Sequence, residues 1–233
     1  MYTSSFGGGL VDGDAVSLDV EVERGAAAYL STQASTKVYR STRGTSAELT
    51  ARVGDEGLLV VAPDPVVCFA ASRYRQRQRF ELAARASLVA IDWMTSGRWA
   101  AGERWAFDSY EARLSVRCDE RLLVHDVLSL RARDGDLAAR MGRFDVIAIA
   151  VVINIEAAAP LVASLADQRV ERGARQLLAA TALPALADDT RSGSRSCVIR
   201  IAGLSVEQVG HTLRQLLSFV PALLGDDPWS RKW

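Results

Sequence analysis

Asp92 interrupts SLVAIDWM, a stretch otherwise suited to burial, and Glu103 lies close behind it in GERW. An ionised carboxylate buried without a partner costs several kcal/mol, so such a strand must supply a counter-charge or water. Two outcomes are open. Arg98 or Arg104 pairs with the acids in structural ion pairs, or the acids face a polar interior passage or a weak oxygen-donor site for a divalent metal. Asp14 follows Gly13 where a strand should start, and it either bonds turn amides or faces a site. Asp92 and Glu103 would also serve as the paired carboxylates of a β-solenoid carbohydrate enzyme.

A second constellation is SRYRQRQRFEL. Arg73, Arg75, Arg77 and Arg79 alternate with Tyr74, Gln76, Gln78 and Phe80, so four guanidinium groups share one face of a strand. A basic sheet face could bind single-stranded nucleic acid. Against that, the glutamines supply no stacking, and 28 basic side chains balance 28 acidic ones to a net charge of zero. The structural alternative is pairing with an acidic strand face such as Asp19, Glu21 and Glu23.

Other chemistries find less support. His125 and His211 are the two histidines, and neither adjoins a Ser or Cys elbow. No C-x-x-C, H-x-H or H-E-x-x-H spacing occurs, which disfavours a tight thiolate or imidazole metal site. Near the N-terminus, GGGLVDGD looks like a phosphate cradle. Gly7 and Gly9 match a dinucleotide fingerprint, but Asp12 takes the third glycine's place and a strand, not a helix, follows. Without a helix N-terminus to attract phosphate, these glycines are expected to serve tight turns and close packing.

The elements that must hold these residues are mostly strands. Val16, Leu18, Val20 and Val22 alternate with Ser17, Asp19, Glu21 and Glu23, giving one buried and one wet face. LLVV (58–61), SLVAIDW (87–93), WAFDSYEARLSVR (105–117) and VIAIAVVINI (146–155) read as further strands, punctuated by glycine and proline turns. No internal repeat or linker is evident. In the last third, Pro160 marks a helix start, and the spacing predicts a helix through 161–183 with Gly173 as a blemish. TRSGSRS (190–196) is expected as a loop and CVIRIAG (197–203) as a strand. Ser205 and Gln208 form a capping box for a helix running to Pro221. The expected fold is mainly β, in one domain over 1–233, with two or so late helices. MYTSSF shows no secretory signal, VIAIAVVI is too short to span a bilayer, and Cys68, Cys118 and Cys197 are odd in number and dispersed. A cytoplasmic address is expected, with reduced thiols.

Taken together, FGGGLVDGD, LSTQASTKVYRS (30–41), APDPVVCFAASRYRQRQRFEL, SLVAIDWMTSGRWAAGERW and DDPWSRKW resemble the urease accessory protein D family, in order along nearly the whole chain. The resemblance implies a non-enzymatic scaffold of elongated, layered, β-helix-like sheets. It implies binding to the urease apoprotein, accessory protein F and the GTPase accessory protein G, without nucleic acid or membrane. It also implies no tightly bound cofactor and Ni²⁺ in transit through an internal passage, for which Asp14, Asp92 and Glu103 are the candidates. Lys37, Tyr39 and Arg40, with Arg98, are candidates for a partner surface or the passage; TQASTKVYRS (32–41) reads as a strand, on which Lys37 and Tyr39 share one face and Val38 and Arg40 the other. Family members usually carry more strands before GGGLV, so an exposed sheet edge is expected here.

Overall fold

The computed structural model describes residues 1–4, 8–166, 170, 173–184 and 194–230. Its organising device is a coil of strands that alternates between two sheets. β2 (Ala15–Val22) lies in a five-stranded sheet; Gly25, at φ +68°, helps turn the chain into β3 (Ala27–Thr32) of a nine-stranded sheet, and β4 (Thr36–Val38) follows. The next turn of the coil repeats this with β5 (Thr45–Val53), β6 (Leu58–Val61) and β7 (Val66–Cys68), and a third with β8 (Arg73–Leu82) and β9 (Ser87–Thr95). Equivalent strands stack in parallel: Ala15 of β2 lies opposite Ser46, and Thr45 of β5 opposite Tyr74, offsets of 31 and 29 residues. A structural period of about one coil therefore exists where the sequence shows no repeat. Only hydrophobic alternation is shared between turns of the coil, and alternation has period two.

β10 (Ser109–Cys118) adds a last parallel strand beside β8, and β11 (Arg121–Arg131) folds back antiparallel on it. The two-residue loop between them holds Asp119 and Glu120 at φ +44° and +66°, the handedness that a tight hairpin turn requires. A short helix, α1 (Leu137–Met141), leads to β12 (Val146–Ile153), which pairs antiparallel with β9. α2 (Ala159–Ala166) comes next, then β13 (Gln176–Ala182) and β14 (Cys197–Gly203). α3 (Val206–Leu216) and α4 (Val220–Leu224) close the described chain, and β1 (Tyr2–Thr3) pairs with β3.

The mainly β expectation holds, and several local expectations are corrected. Of the helix expected through 161–183, residues 161–166 are helical, 167–169 and 171–172 lie outside the described residues, and 176–182 form a strand. Leu177–Ala182 pairs with β14 instead, since the ladder offers Leu, Ala and Thr more than their helix propensity does. The helix begun by Ser205, whose hydroxyl accepts from Gln208 N, ends at Leu216, and Pro221 belongs to the first turn of α4. Residues 32–41 are not one strand: Thr32 ends β3, Thr36–Val38 forms β4, and Tyr39 and Arg40 lie beyond it. Val38 is fully buried while Arg40 is exposed, so these two do not share a face. Residues 190–193 of the expected loop, and Gly7, lie outside the described residues.

Three cores result. One fills the space between the sheets around Leu59, Phe80, Leu88 and Leu114. A second lies in the same interlayer toward one end, around Val38, Met94, Phe107 and Tyr110. The third covers the outer face of the long sheet, where α2, α3 and α4 pack on Val89, Ile91 and Val152. At the edge of the short sheet, β2 pairs with β5 alone among the described strands, and Val16 on its inner row is 49% exposed.

Candidate functional site

Between the two interlayer cores runs a polar level. On β9, Leu88, Ala90, Asp92 and Met94 form the row that faces the short sheet, and Asp92 replaces what would be an aliphatic residue. Opposite it, β8 points Tyr74, Gln76, Gln78 and Phe80 inward while its arginines point out. Asp92 is only 7% exposed, and its carboxylate bonds the Gln76 side chain; Tyr74 Oη in turn donates to Gln76 Oε1 at 3.0 Å. Gln78 Oε1 is buried with no hydrogen-bond partner among the described residues. This orphaned acceptor stands two residues along β8 from Gln76, the Asp92 partner, and lines the same cavity as both.

Asp92 lines two cavities. One, of ≈ 610 Å³, extends from Gln76 and Gln78 past Leu18 and Ser31 toward Thr32 and Asp64. The other, of ≈ 170 Å³, lies on the far side among Tyr110, Asp126 and Arg200. Burial pushes the Asp92 carboxyl up to about 6; the Gln76 bond opposes the rise and the charge on Asp126 adds to it. Burial also raises the Tyr74 and Tyr110 hydroxyls far out of the physiological range, so both remain neutral donors. Neither arginine considered as a partner reaches Asp92. Arg98 pairs with Glu103, Arg104 with Asp145 at 2.6 Å, and the guanidinium nearest the second cavity, Arg200, pairs with Asp126 at 2.6 Å.

Glu103 has the opposite environment. Its carboxylate accepts from Arg98 and from Ala70 N at 3.0 Å, and Arg98 first, then the Ala70 bond, hold its carboxyl below the usual range despite some desolvation. The Arg98 guanidinium lies 4.3 Å from the centre of the Phe69 ring, which meets Tyr39 edge-on at 5.0 Å. Arg98, Glu103 and Tyr39 thus form one surface cluster with exposed Trp99 beside it, while Asp92 is not part of it. Lys37 and Arg40 are exposed near this cluster, on β4 and just beyond it. Asp14 accepts from Val11 N at 2.8 Å, a turn-closing role, and lines neither Asp92 cavity.

The glycine stretch is a backbone device. Gly8 and Gly13 have φ of +76° and +91°, and a Cβ on Gly9 would stand 2.5 Å from Lys37 O. Asp12, the residue that breaks the nucleotide fingerprint, accepts from the amides of Arg43 and Gly44 at 2.8 and 3.2 Å and so staples this stretch to the next turn of the coil. The cysteines are free and buried, with burial pushing Cys68 up to about 12 and Cys197 to about 11. Among the described residues no three His, Cys, Asp or Glu side chains converge as a metal cluster, and no helix is long and apolar enough to cross a membrane. Gln76, Gln78 and Tyr74 were not expected at a site; their signal was an alternating strand with amides on the face opposite four arginines.

Fold and site together define a coiled β scaffold whose interior is polar at one level and open to cavities on both sides of a single carboxylate. A family model described as UreD urease accessory protein matches residues 1–233. A urease accessory protein UreD of Sorangium cellulosum (strain So ce56) is 48% identical over 233 residues, covering 100% of this chain and 72% of that protein. One of Anaeromyxobacter sp. (strain Fw109-5) is 45% identical over 99% of this chain and 76% of its own length. The urease accessory protein D of Arabidopsis thaliana is 33% identical over 99% and 85%. The chain belongs to the UreD family of urease accessory proteins. That membership supports a role in urease maturation.

Proposed function

We propose that the chain is a non-enzymatic, cytoplasmic scaffold that binds the urease apoprotein, works with accessory protein F and the GTPase accessory protein G, and lets Ni²⁺ pass through its interior without keeping it. The observation that carries this is Asp92, a buried carboxylate between two cavities whose immediate companions are amides and tyrosine hydroxyls. Such oxygen donors bind a divalent cation loosely and exchange it fast, whereas clustered imidazoles or thiolates would trap it. With its carboxyl near 6, Asp92 is mostly ionised at neutral pH and attracts a cation into a level that would otherwise exclude it. Asp14 and Glu103 already serve a turn amide and Arg98, so the passage role concentrates on Asp92. Lys37, Tyr39, Arg40 and Arg98 then belong to the surface side of the proposal, as contacts for the other maturation proteins.

The test is reconstitution. Urease apoprotein, accessory proteins F and G, GTP and nickel should yield active urease with this chain and markedly less without it. Equal activity in its absence would contradict the proposal. Calorimetry of the tag-free chain should show only weak Ni²⁺ binding, and submicromolar affinity would contradict transit.

A further inference from the structure

The passage makes no use of the arginine face of β8. On the outer face of the short sheet, Arg73 pairs with Asp108 at 3.0 Å, Arg77 with Glu48 at 3.0 Å, and Arg75 approaches Glu111 at 3.9 Å. The acids come from β5, β10 and the residue before it, not from Asp19, Glu21 and Glu23 as the sequence suggested, because β5 separates β2 from β8. Arg79 and Arg113 differ: both are exposed, and neither has an ion pair among the described residues. Register makes this worse. Arg113 lies directly opposite Arg77, and Arg79 sits opposite Ser115 on one side and Thr50 on the other. Like charges on directly opposed sheet positions are destabilising, and Thr, with its high strand propensity, would be the easier residue there.

The same face has an apolar margin. Val127 lies opposite Arg113 and is 52% exposed, and Leu122 lies opposite Arg117 and is 49% exposed; His125, opposite Ser115, is exposed between them. Helices α2, α3 and α4 all pack on the long sheet, which leaves this face uncovered among the described residues. Five strands about 4.8 Å apart and roughly nine residues long give a flat area on the order of 700 Å², close to one partner's share of a standard protein interface. We propose that the outer face of the short sheet, centred on Arg79 and Arg113 with the Val127 and Leu122 margin, docks a protein partner that presents a carboxylate patch beside apolar side chains. Complementary charge is what the unpaired guanidiniums lack, and an apolar rim is what a protein surface would cover. A nucleic acid fits less well. All the aromatic residues of β8 and β10 point inward, which leaves the bases of a single strand no ring to stack on.

The test uses the full chain with Arg79→Thr and Arg113→Thr, and a charge-matched control with Arg24→Gln and Arg214→Gln. A labelled decaglutamate peptide and a dT₁₀ oligonucleotide are titrated at low salt, and the urease apoprotein is co-purified with each form. The expected results are decaglutamate binding by wild type and control, at least tenfold weaker binding by the Thr variant, at least threefold less urease recovered with it, and an unchanged or raised melting midpoint. Failure of wild type to bind decaglutamate, tighter binding of dT₁₀, a fall in the variant's melting midpoint, or undiminished urease recovery would each overturn the proposal. Absence of urease recovery with the wild type would instead count against the proposed function, and the peptide titration would still decide the docking face.

Discussion

Two carboxylates from one short stretch of chain meet opposite fates. Glu103 sits at the surface with Arg98 and a backbone amide, and these hold its carboxyl low. Asp92 sits between the sheets with a glutamine amide for company, and burial drives its carboxyl up to about 6. A charge kept for stability looks like Glu103: salt-bridged, bonded and partly wet. Asp92 costs stability where it is, so its presence needs another cause. The contrast separates a residue that holds the fold from one that the fold tolerates.

The largest expected effect is on Asp92. Between its ordinary value of 3.8 and its folded value of about 6, the native chain keeps a proton that the unfolded chain has lost. Stability therefore falls as pH rises through that window and stays lowered above it, by an amount on the order of 3 kcal/mol. Asp92→Asn should raise stability by about 2 kcal/mol at pH 8 and by almost nothing at pH 4 in denaturant titrations. A variant less stable than wild type at pH 8 would return Asp92 to the structural class.

Glu103→Ala should act in the opposite direction. It strips Arg98 of its partner and leaves the Ala70 amide without an acceptor, so the melting midpoint should drop by a few degrees. Because the Glu103 carboxyl is held low, that contribution is present above the ordinary value of 4.5 and is lost as pH falls through the folded value. The gap between mutant and wild type should therefore close in acid, whereas the Asp92→Asn gap opens in base. Parallel pH profiles for the two variants would break the comparison.

Smaller still is the effect of Gln78→Leu. Replacing a buried, unpaired amide oxygen with an aliphatic group should raise stability by about 1 kcal/mol while reducing urease activation. Charge reversal at Lys37 and Arg40 should leave the melting midpoint almost unchanged, since both are exposed, yet weaken pull-down of accessory protein F. Undiminished pull-down would remove these residues from the partner surface.

The comparison also shows what a sequence can carry. Asp92 was legible because a carboxylate in an apolar alternating strand is a local contradiction, visible within eight residues. The inward row of Gln76 and Gln78 was equally visible as alternation, but not its meaning: its partner lies on another sheet, and no local pattern encodes which strands stack across a coil. The same limit hid the pairing of β8 with Glu48 and Glu111 in place of Asp19 and Glu21. At β13, local propensity pointed to a helix and the ladder with β14 overrode it. The capping hydroxyl of Ser205 needed only residues three apart and was legible, whereas the Gly9 stretch announced close packing but not that Lys37, on another strand, is what it packs against.

The most direct test of the account is nickel-dependent urease activation by Asp92→Asn, measured per mole of assembled scaffold–urease complex at pH 7.5. The side chain keeps its size and its place beside Gln76 but loses the charge that would draw a cation between the two cavities. Activation reduced at least fivefold, with complex yield unchanged and the melting midpoint equal or higher, is the predicted result. Full activation by the uncharged variant would contradict it.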